Sequence, residues 1–381
     1  MSVAYRQARQ LIEIGRDEQA EAALRAGLAA EPADADLLTL LAFVLRRQRD
    51  YPAALKAVDA AITAAPHRAE AHAERAESLM SLLRDKDAIV AAQEAVRLAP
   101  HDPGGHFVLA RALAAPRRYD EARVAAQHGL SLAPRSVEGL LTLADLERDA
   151  GNRDEAERAA RAALDMDPSD AYGRWLIAML DAEHLRVRRS LRTLRDVARE
   201  NPARPDVISM TWPIRSLLSA LRRWFAVATV LVLVAALCAL RWEAVVLPGR
   251  ILAGLFAAVV TGFALRVLVP AGRVPWRCLR LAPWLLRRAT RAGSVTVAVM
   301  VALLLAYAMT GFWWLSLLAV LGIPVLWGCA AAEAFGARMD DPGYMHAMKD
   351  LAGDFRSWGA ELGQWWRDTR KDLREAWNND T

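Results

Sequence analysis

The stretch "LRAGLAAEP", residues 24–32, decides the fold of the first half of the chain because its ending recurs at a fixed interval. It is an alanine-rich run closed by a proline, and "VDAAITAAP", "AQEAVRLAP", "AQHGLSLAP" and "ARAALDMDP" close in the same way. The prolines that end these runs stand 34 residues apart, and "VARENP" adds a sixth at the same interval. The six are Pro32, Pro66, Pro100, Pro134, Pro168 and Pro202. Proline lacks an N–H and clashes with the preceding turn, so each is predicted to stop a helix. The period indicates stacked copies of one unit.

Two columns of small residues keep the same period. The first holds Ala8, Ala42, Ala76, Ala110, Ala144 and Ala178, and the second holds Ala20, Ala54, Ala88, Ala122, Ala156 and Ser190. A small side chain at a fixed point on each of two helices allows them to pack closely. Turn signals such as "DAGNRDEA" separate the columns. Each block is therefore predicted to be helix, turn, helix, and the blocks must stack into a solenoid because neither helix can bury its apolar stripe alone.

This pattern resembles the tetratricopeptide repeat family. The block closest to the family pattern contains Leu38, Leu41, Ala42, Leu45, Ala54, Val58, Ala61 and Pro66. The position of the family's first tryptophan is filled differently here, by Ala4, Leu38, His72, His106, Leu140 and Arg174. The resemblance implies an all-α solenoid of about six repeats over residues 1–205, with a protein-binding groove lined by the first helix of each repeat. By that analogy the groove residues are Tyr5, Arg9, Phe43, Arg46, Arg47, Glu77, Phe107, Arg111, Arg148 and Trp175. A groove that is only solvated is the alternative.

After a linker at 206–223, the composition changes to that of a membrane protein. Four apolar stretches, 224–240, 251–269, 293–311 and 313–332, are each close to the roughly 20 residues that a helix needs to cross the hydrocarbon. We therefore predict a transmembrane region of four helices at 224–332, with a loop at 270–292. The last two spans must turn at "TGFWW", which places Trp313 and Trp314 in the interfacial aromatic belt.

Arginines predict the orientation of these spans. Residues 211–332 contain twelve arginines and a single acid, Glu243, so the basicity lies in the most apolar part of the chain and does not indicate nucleic-acid binding. The positive-inside rule places the repeats, the loop and the tail at 333–381 in the cytoplasm, with the chain integral to the plasma (inner) membrane. The loop is expected to lie on anionic headgroups, although its arginines could instead only fix topology. Its residues at the membrane interface are Arg273, Trp276, Arg277, Arg280, Trp284, Arg287, Arg288 and Arg291.

The sequence offers little chemistry. The pairs His67 with His72 and His101 with His106 recur one repeat apart without nearby cysteine, so they are predicted to be structural and not to bind metal. No nucleophile, metal or phosphate-loop constellation is present, and we expect no enzyme activity, no cofactor and no small-molecule substrate. The predicted function is a membrane-anchored scaffold that docks a protein partner on the cytoplasmic face. The alternative is a component of a membrane transport or secretion complex that uses the repeats as a docking arm.

The tail carries an amphipathic pattern. Its apolar residues fall at alternating spacings of four and three, which predicts a seam along one helix: Tyr344, Met348, Leu351, Phe355, Trp358, Leu362 and Trp365. Three partners for this seam remain open: the membrane interface, a second copy of the tail, or the groove of the solenoid.

Overall fold

The computed structural model describes residues 2–184, 186–200, 211–242, 246–338 and 342–348, and throughout these ranges the regular elements are helices. The described residues form two compact units, one of residues 2–132 with 342–348, and one within residues 133–338. The all-α class predicted from the sequence is confirmed.

Eight helices make up the four repeats of the first unit. Each repeat consists of two consecutive helices that pack as a pair. In chain order the helices are α1 (Val3–Glu13), α2 (Asp17–Ala30), α3 (Ala35–Arg47), α4 (Tyr51–Ala64), α5 (Ala69–Ser81), α6 (Asp85–Leu98), α7 (Pro103–Ala114) and α8 (Tyr119–Leu132). A short helical stretch, residues 342–348, belongs to the same unit.

The second unit begins with two further repeats and continues into the apolar part of the chain. The repeats are α9 (Val137–Ala150), α10 (Arg153–Met166), α11 (Ala171–Glu183) and α12 (Val187–Glu200). Five helices follow: α13 (Trp212–Ala239), α14 (Val246–Ala271), α15 (Val274–Leu281), α16 (Trp284–Thr310) and α17 (Trp313–Arg338).

The 34-residue period controls where the repeat helices end. Helices α2, α4, α6, α8 and α10 each end two residues before one of the periodic prolines, as the sequence predicts. Two residues after the proline, a side chain often caps the next helix; Asp34, for example, accepts hydrogen bonds from the backbone N–H groups of Asp36 and Leu37, at 2.9 and 3.1 Å. Such a cap satisfies N–H groups that have no partner within the helix.

The turn inside each of the first five repeats imposes a second periodic constraint. One residue in it adopts a left-handed backbone, with φ between 59° and 91°, at Gly15, Arg49, Leu83, Arg117 and Gly151. Glycine adopts this conformation without strain, whereas the other three residues do so against the steric preference of L-amino acids. In the second, third and fourth repeats the turn is therefore imposed by the flanking helices, because no glycine occupies the left-handed position.

Both columns of small residues lie at the centre of the helix pairs. From Ala8 to Ala178 in the first column, and from Ala20 to Ser190 in the second, relative exposure is 1 % or less. Larger side chains would hold the paired helices apart, so the sequence-based explanation for these columns is confirmed.

The apolar helices form the remainder of the second unit. Three of them, Val246–Val269, Trp284–Thr310 and Trp313–Arg338, are long and apolar enough to cross a membrane, and α13 holds a shorter apolar stretch, Trp224–Ala239. Their core contains Phe225 of α13, Val260 of α14 and Leu304 of α16. Large apolar side chains also cover the outside of the bundle, which is typical of helices that face lipid. Helix α15 lies within the predicted loop 270–292 and α16 begins directly after Pro283, so most of that loop is helical.

The last repeat packs directly against an apolar helix. Val187, Leu191 and Leu194 of α12 form one buried cluster with Val267 and Ala271 near the end of α14. The last repeat therefore joins the apolar bundle through side-chain packing.

Candidate functional site

The first helices of three consecutive repeats enclose an open cleft of about 320 Å³. Its walls combine two aromatic rings with charged and polar groups from α1, α3, α5 and the turn before α5: Tyr5, Asp36, Thr39, Leu40, Phe43, Arg68, Glu70 and Glu74. Arg68 forms an ion pair with Asp36 across the cleft, while the exposed carboxylate of Glu70 has no ion pair among the described residues. The cleft therefore presents aromatic surface beside an unpaired negative charge.

Four charged side chains connect the first helices of the second, third and fourth repeats. Arg46 of α3 donates two hydrogen bonds to Glu74 of α5, with Nε–Oε1 at 2.7 Å and Nη2–Oε2 at 3.0 Å. Glu77, one turn further along α5, lies 3.8 Å from Arg46 and accepts from Arg111 of α7 at 3.0 and 2.5 Å. These four residues, two glutamates of α5 between two arginines, are here termed the Arg–Glu ladder: Arg46, Glu74, Glu77 and Arg111.

Burial is greatest at the Arg46 end of the ladder. The Glu74 side chain is 10 % exposed and that of Arg46 is 21 % exposed. Burial raises the pKa of the Glu74 carboxyl, and the hydrogen-bonded guanidinium of Arg46 offsets part of this rise. Glu74 thus depends on Arg46 to remain charged inside the solenoid.

Phe43 lies beside this ladder and supports two guanidinium groups. The Arg46 and Arg47 groups lie 5.4 and 5.7 Å from the centre of its ring. Arg47 also pairs with Asp17 of α2 at 3.1 Å. Cation–π contacts of this kind hold arginine side chains in one orientation.

A second cluster occupies the first helices of the last two repeats, within the second unit. Trp175 of α11 stacks on Tyr172 at 5.5 Å and carries the guanidinium of Arg148 over its ring at 5.8 Å. Arg148 pairs with Asp145 at 3.2 Å, and the Tyr172 hydroxyl donates to Asp145 as well. Burial, together with the adjacent Asp145 carboxylate, raises the pKa of Tyr172 above its usual range.

The groove residues predicted from the sequence divide between the two units, with Arg148 and Trp175 in the second and the others in the first, and one of them needs a correction. Phe107 is 2 % exposed, and its ring lies where a side chain on Gly129 of α8 would stand, so it belongs to the core and not to the groove. Arg9 lies exposed on α1. Glu77 is the one acid that the sequence predicts for the groove. Asp36 and Glu70 also line the cleft and Asp145 belongs to the second cluster. They stand two or nine residues into their repeats, and arginine and aromatic residues, which indicate a groove, do not reveal them.

The repeated histidines have a structural role in the described part of the chain. His72 Nε2 lies 2.9 Å from the carbonyl oxygen of Pro66, and His106 Nε2 lies 3.0 Å from that of Pro100. Each ring thereby ties the start of a repeat to the proline before it. Among the described residues, no three His, Cys, Asp or Glu side chains are grouped so as to hold a metal ion.

The predicted interface residues lie on the surface of the apolar helices. Trp276, Trp284, Trp313 and Trp314 are each between 39 % and 51 % exposed, and Arg288 lies over the Trp284 ring at 5.5 Å. The arginines divide between two helices. Arg273 stands directly before α15, which carries Arg277 and Arg280, while Arg287, Arg288 and Arg291 are in the first turns of α16.

Only the start of the tail seam falls within the described residues. Tyr344 and Met348 belong to the helical stretch 342–348, whereas Leu351, Phe355, Trp358, Leu362 and Trp365 lie outside the described residues. Gly343 packs against the Ser81 carbonyl at the end of α5 and against the Tyr51 ring at the start of α4. This contact is at the helix ends of the repeats and not in the cleft.

Comparison with known proteins identifies the repeats. The profile of a family described as tetratricopeptide repeat matches residues 5–69, 40–103 and 141–205. No curated protein matches the chain.

Several solved structures are similar to about half of the chain. TTC0263, a thermophilic TPR protein of Thermus thermophilus, is 22 % identical over 46 % of this chain and 96 % of its own, with a TM-score of 0.44. YrrB, described as a TPR protein with an unusual peptide-binding site, is 20 % identical over 45 % and 88 %, with a TM-score of 0.34. PilW, described as a type IV pilus biogenesis factor, is 14 % identical over 52 % and 93 %, with a TM-score of 0.44.

Proposed function

We propose that this chain, which carries tetratricopeptide repeats over residues 5–103 and 141–205, is a membrane-anchored adaptor that docks a protein partner at the cytoplasmic face. The cleft between α1, α3 and α5 carries the proposal, because it is open, aromatic and charged, and because the same chain contains three helices long enough to cross a membrane. Aromatic and arginine side chains are the residues that most often anchor protein interfaces.

Charge favours a partner segment with a basic residue. Asp36 and Glu74 of the cleft are paired with arginines, which leaves Glu70 as the charged group open to a ligand among the described lining residues. Tyr5 and Phe43 would contact an apolar side chain next to that basic residue. A component of a membrane transport or secretion complex that uses the repeats as a docking arm is the alternative proposal.

A charge reversal in the cleft tests this function. Glu70→Lys should abolish retention of the partner by the detergent-solubilised full chain, because it places a cation where a basic residue would bind. Val90→Lys on α6, at a site that is 63 % exposed, is the matched control and should retain the partner. Quantitative mass spectrometry of the captured proteins would make the comparison. Equal retention by both variants would show that the cleft is not the docking site.

The proposed topology has four spans, with α13 as the fourth, and cytoplasmic termini. Reporter fusions after residue 245 and after Phe312 should then be active on the outer side, while fusions at Arg280 and at Thr381 should be active in the cytoplasm. A fusion at Thr381 that reports the outer side would contradict an even number of spans.

A further inference from the structure

From a second cleft, between the apolar helices, we infer a binding site for one anionic phospholipid, with an acyl chain between α13, α14 and α16 and the phosphate on the arginines of α15. The cleft has a volume of about 320 Å³. Its lining includes Leu221, Val260, Leu268, Trp276, Val297 and Val301. This inference rests on the membrane anchorage proposed above.

The cleft is suited to hydrocarbon. Two of its lining residues carry hydroxyl groups, and both already donate to their own helix: Thr261 to the carbonyl oxygen of Ala257 and Ser294 to that of Thr290, each at 2.8 Å. The walls therefore offer no unused hydroxyl proton to a polar ligand. An apolar cleft of this kind between membrane helices is filled by lipid tails or by another apolar segment.

The positive charge stands directly beside this cleft. Arg273, Arg277 and Arg280 recur at spacings of four and three, so they follow one stripe along α15. Trp276 lines the cleft. It stands three residues after Arg273 and four before Arg280, so it borders the same stripe. A headgroup held by the stripe would have its chains at the mouth of the cleft.

Within the part of the chain that the structure describes, these arginines have no counterion. None of the three has an ion pair among the described residues, and all three are exposed. Residues 211–338 contain only two acids in the sequence, Glu243, which lies outside the described residues, and Glu333. Glu333 is already occupied, since it accepts from Thr290 at 3.0 Å and lies 3.4 Å from Arg215. The charge of these arginines thus favours an anionic ligand, and the apolar cleft favours a lipid over a soluble phosphate.

Native mass spectrometry of the full chain in detergent tests the site. With equal amounts of phosphatidylglycerol and phosphatidylcholine of the same acyl composition, we expect one phosphatidylglycerol to be retained preferentially. Arg273→Gln with Arg280→Gln should weaken that retention about 25-fold, because each arginine beside anionic lipid contributes roughly fivefold. The control, Arg158→Gln with Arg241→Gln, removes two exposed charges elsewhere and should retain the lipid.

A second variant distinguishes a site from general surface attraction. Ala264→Leu with Ala298→Leu fills the cleft without changing charge and should also reduce retention, with helicity by circular dichroism unchanged. If only the arginine variant lost lipid, the cleft would not hold a chain and the site would be overturned. Displacement of the lipid by millimolar inorganic phosphate would overturn it as well. Extraction of the chain from membranes by alkaline carbonate would instead contradict the proposed anchorage.

Discussion

Replacing Arg46 by methionine should destabilise α3 and α5 by about 3–5 kcal/mol, which is the usual cost of removing one partner from a buried ion pair. The cost arises because Glu74 would remain buried without the guanidinium that holds it from α3 at 2.7 and 3.0 Å. Hydrogen exchange of the full chain is the suitable measurement, since it reports the opening free energy of individual helices in a protein that does not unfold in one step.

A matched control separates burial from charge. Arg25→Met removes an arginine from a surface pair with Glu21 in which the arginine side chain is 64 % exposed, and it should cost about 0–1 kcal/mol. Arg46→Met combined with Glu74→Met should recover much of the loss, because no charge then remains buried. Equal effects of Arg46→Met and Arg25→Met would show that the Arg–Glu ladder contributes no more than surface pairs do.

The sign of the pH dependence follows from Glu74. Its pKa is raised by burial, and loss of Arg46 should raise it further. A carboxyl whose pKa is higher in the folded state stabilises the fold when protonated; this stability is present below the unfolded pKa and is lost as pH rises through the folded pKa. The loss of opening free energy in α3 and α5 caused by Arg46→Met should therefore be smaller at pH 5 than at pH 8.

The period of 34 residues was sufficient to predict the repeat fold, because each helix end and each close crossing depends on one local residue type. Proline stops a helix and alanine permits close packing wherever they stand, so the helix ends and the buried columns could be read directly. The backbone conformation of the turns was harder to predict, because Arg49, Leu83 and Arg117 adopt a left-handed conformation that is not typical of these residue types.

The groove was harder to predict because its side chains are oriented by partners in other helices. Phe107 is accommodated in the core by Gly129, 22 residues later, whereas Phe43 lies beside the arginines of its own helix. Likewise, Arg46 meets Glu74 across 28 residues. Composition of the first helices identifies candidate groove residues, but such distant pairs decide which of them face the cleft.

The crossing of α16 and α17 leads to the second large effect that we expect. A Cβ atom on Gly336 would stand 2.7 Å from the backbone nitrogen of Leu286 and 3.1 Å from its Cα. These obstacles are main-chain atoms, so rotation of a side chain cannot relieve the overlap, and the two helices must separate. Small residues at helix crossings within membranes allow this close approach.

Gly336→Leu should therefore cost at least the 1–3 kcal/mol or so typical of overpacking and lower the thermal midpoint of the full chain in detergent. It should also disturb Glu333, which stands three residues earlier on α17 and accepts from Thr290 of α16 at 3.0 Å. Gly328→Leu is the control on the same helix, because nothing lies within 4 Å of a Cβ atom at that position. Size-exclusion chromatography after heating would give both midpoints. Coincident midpoints would mean that α16 and α17 do not depend on the close contact at Gly336, and that the packing of their ends is set elsewhere along the pair.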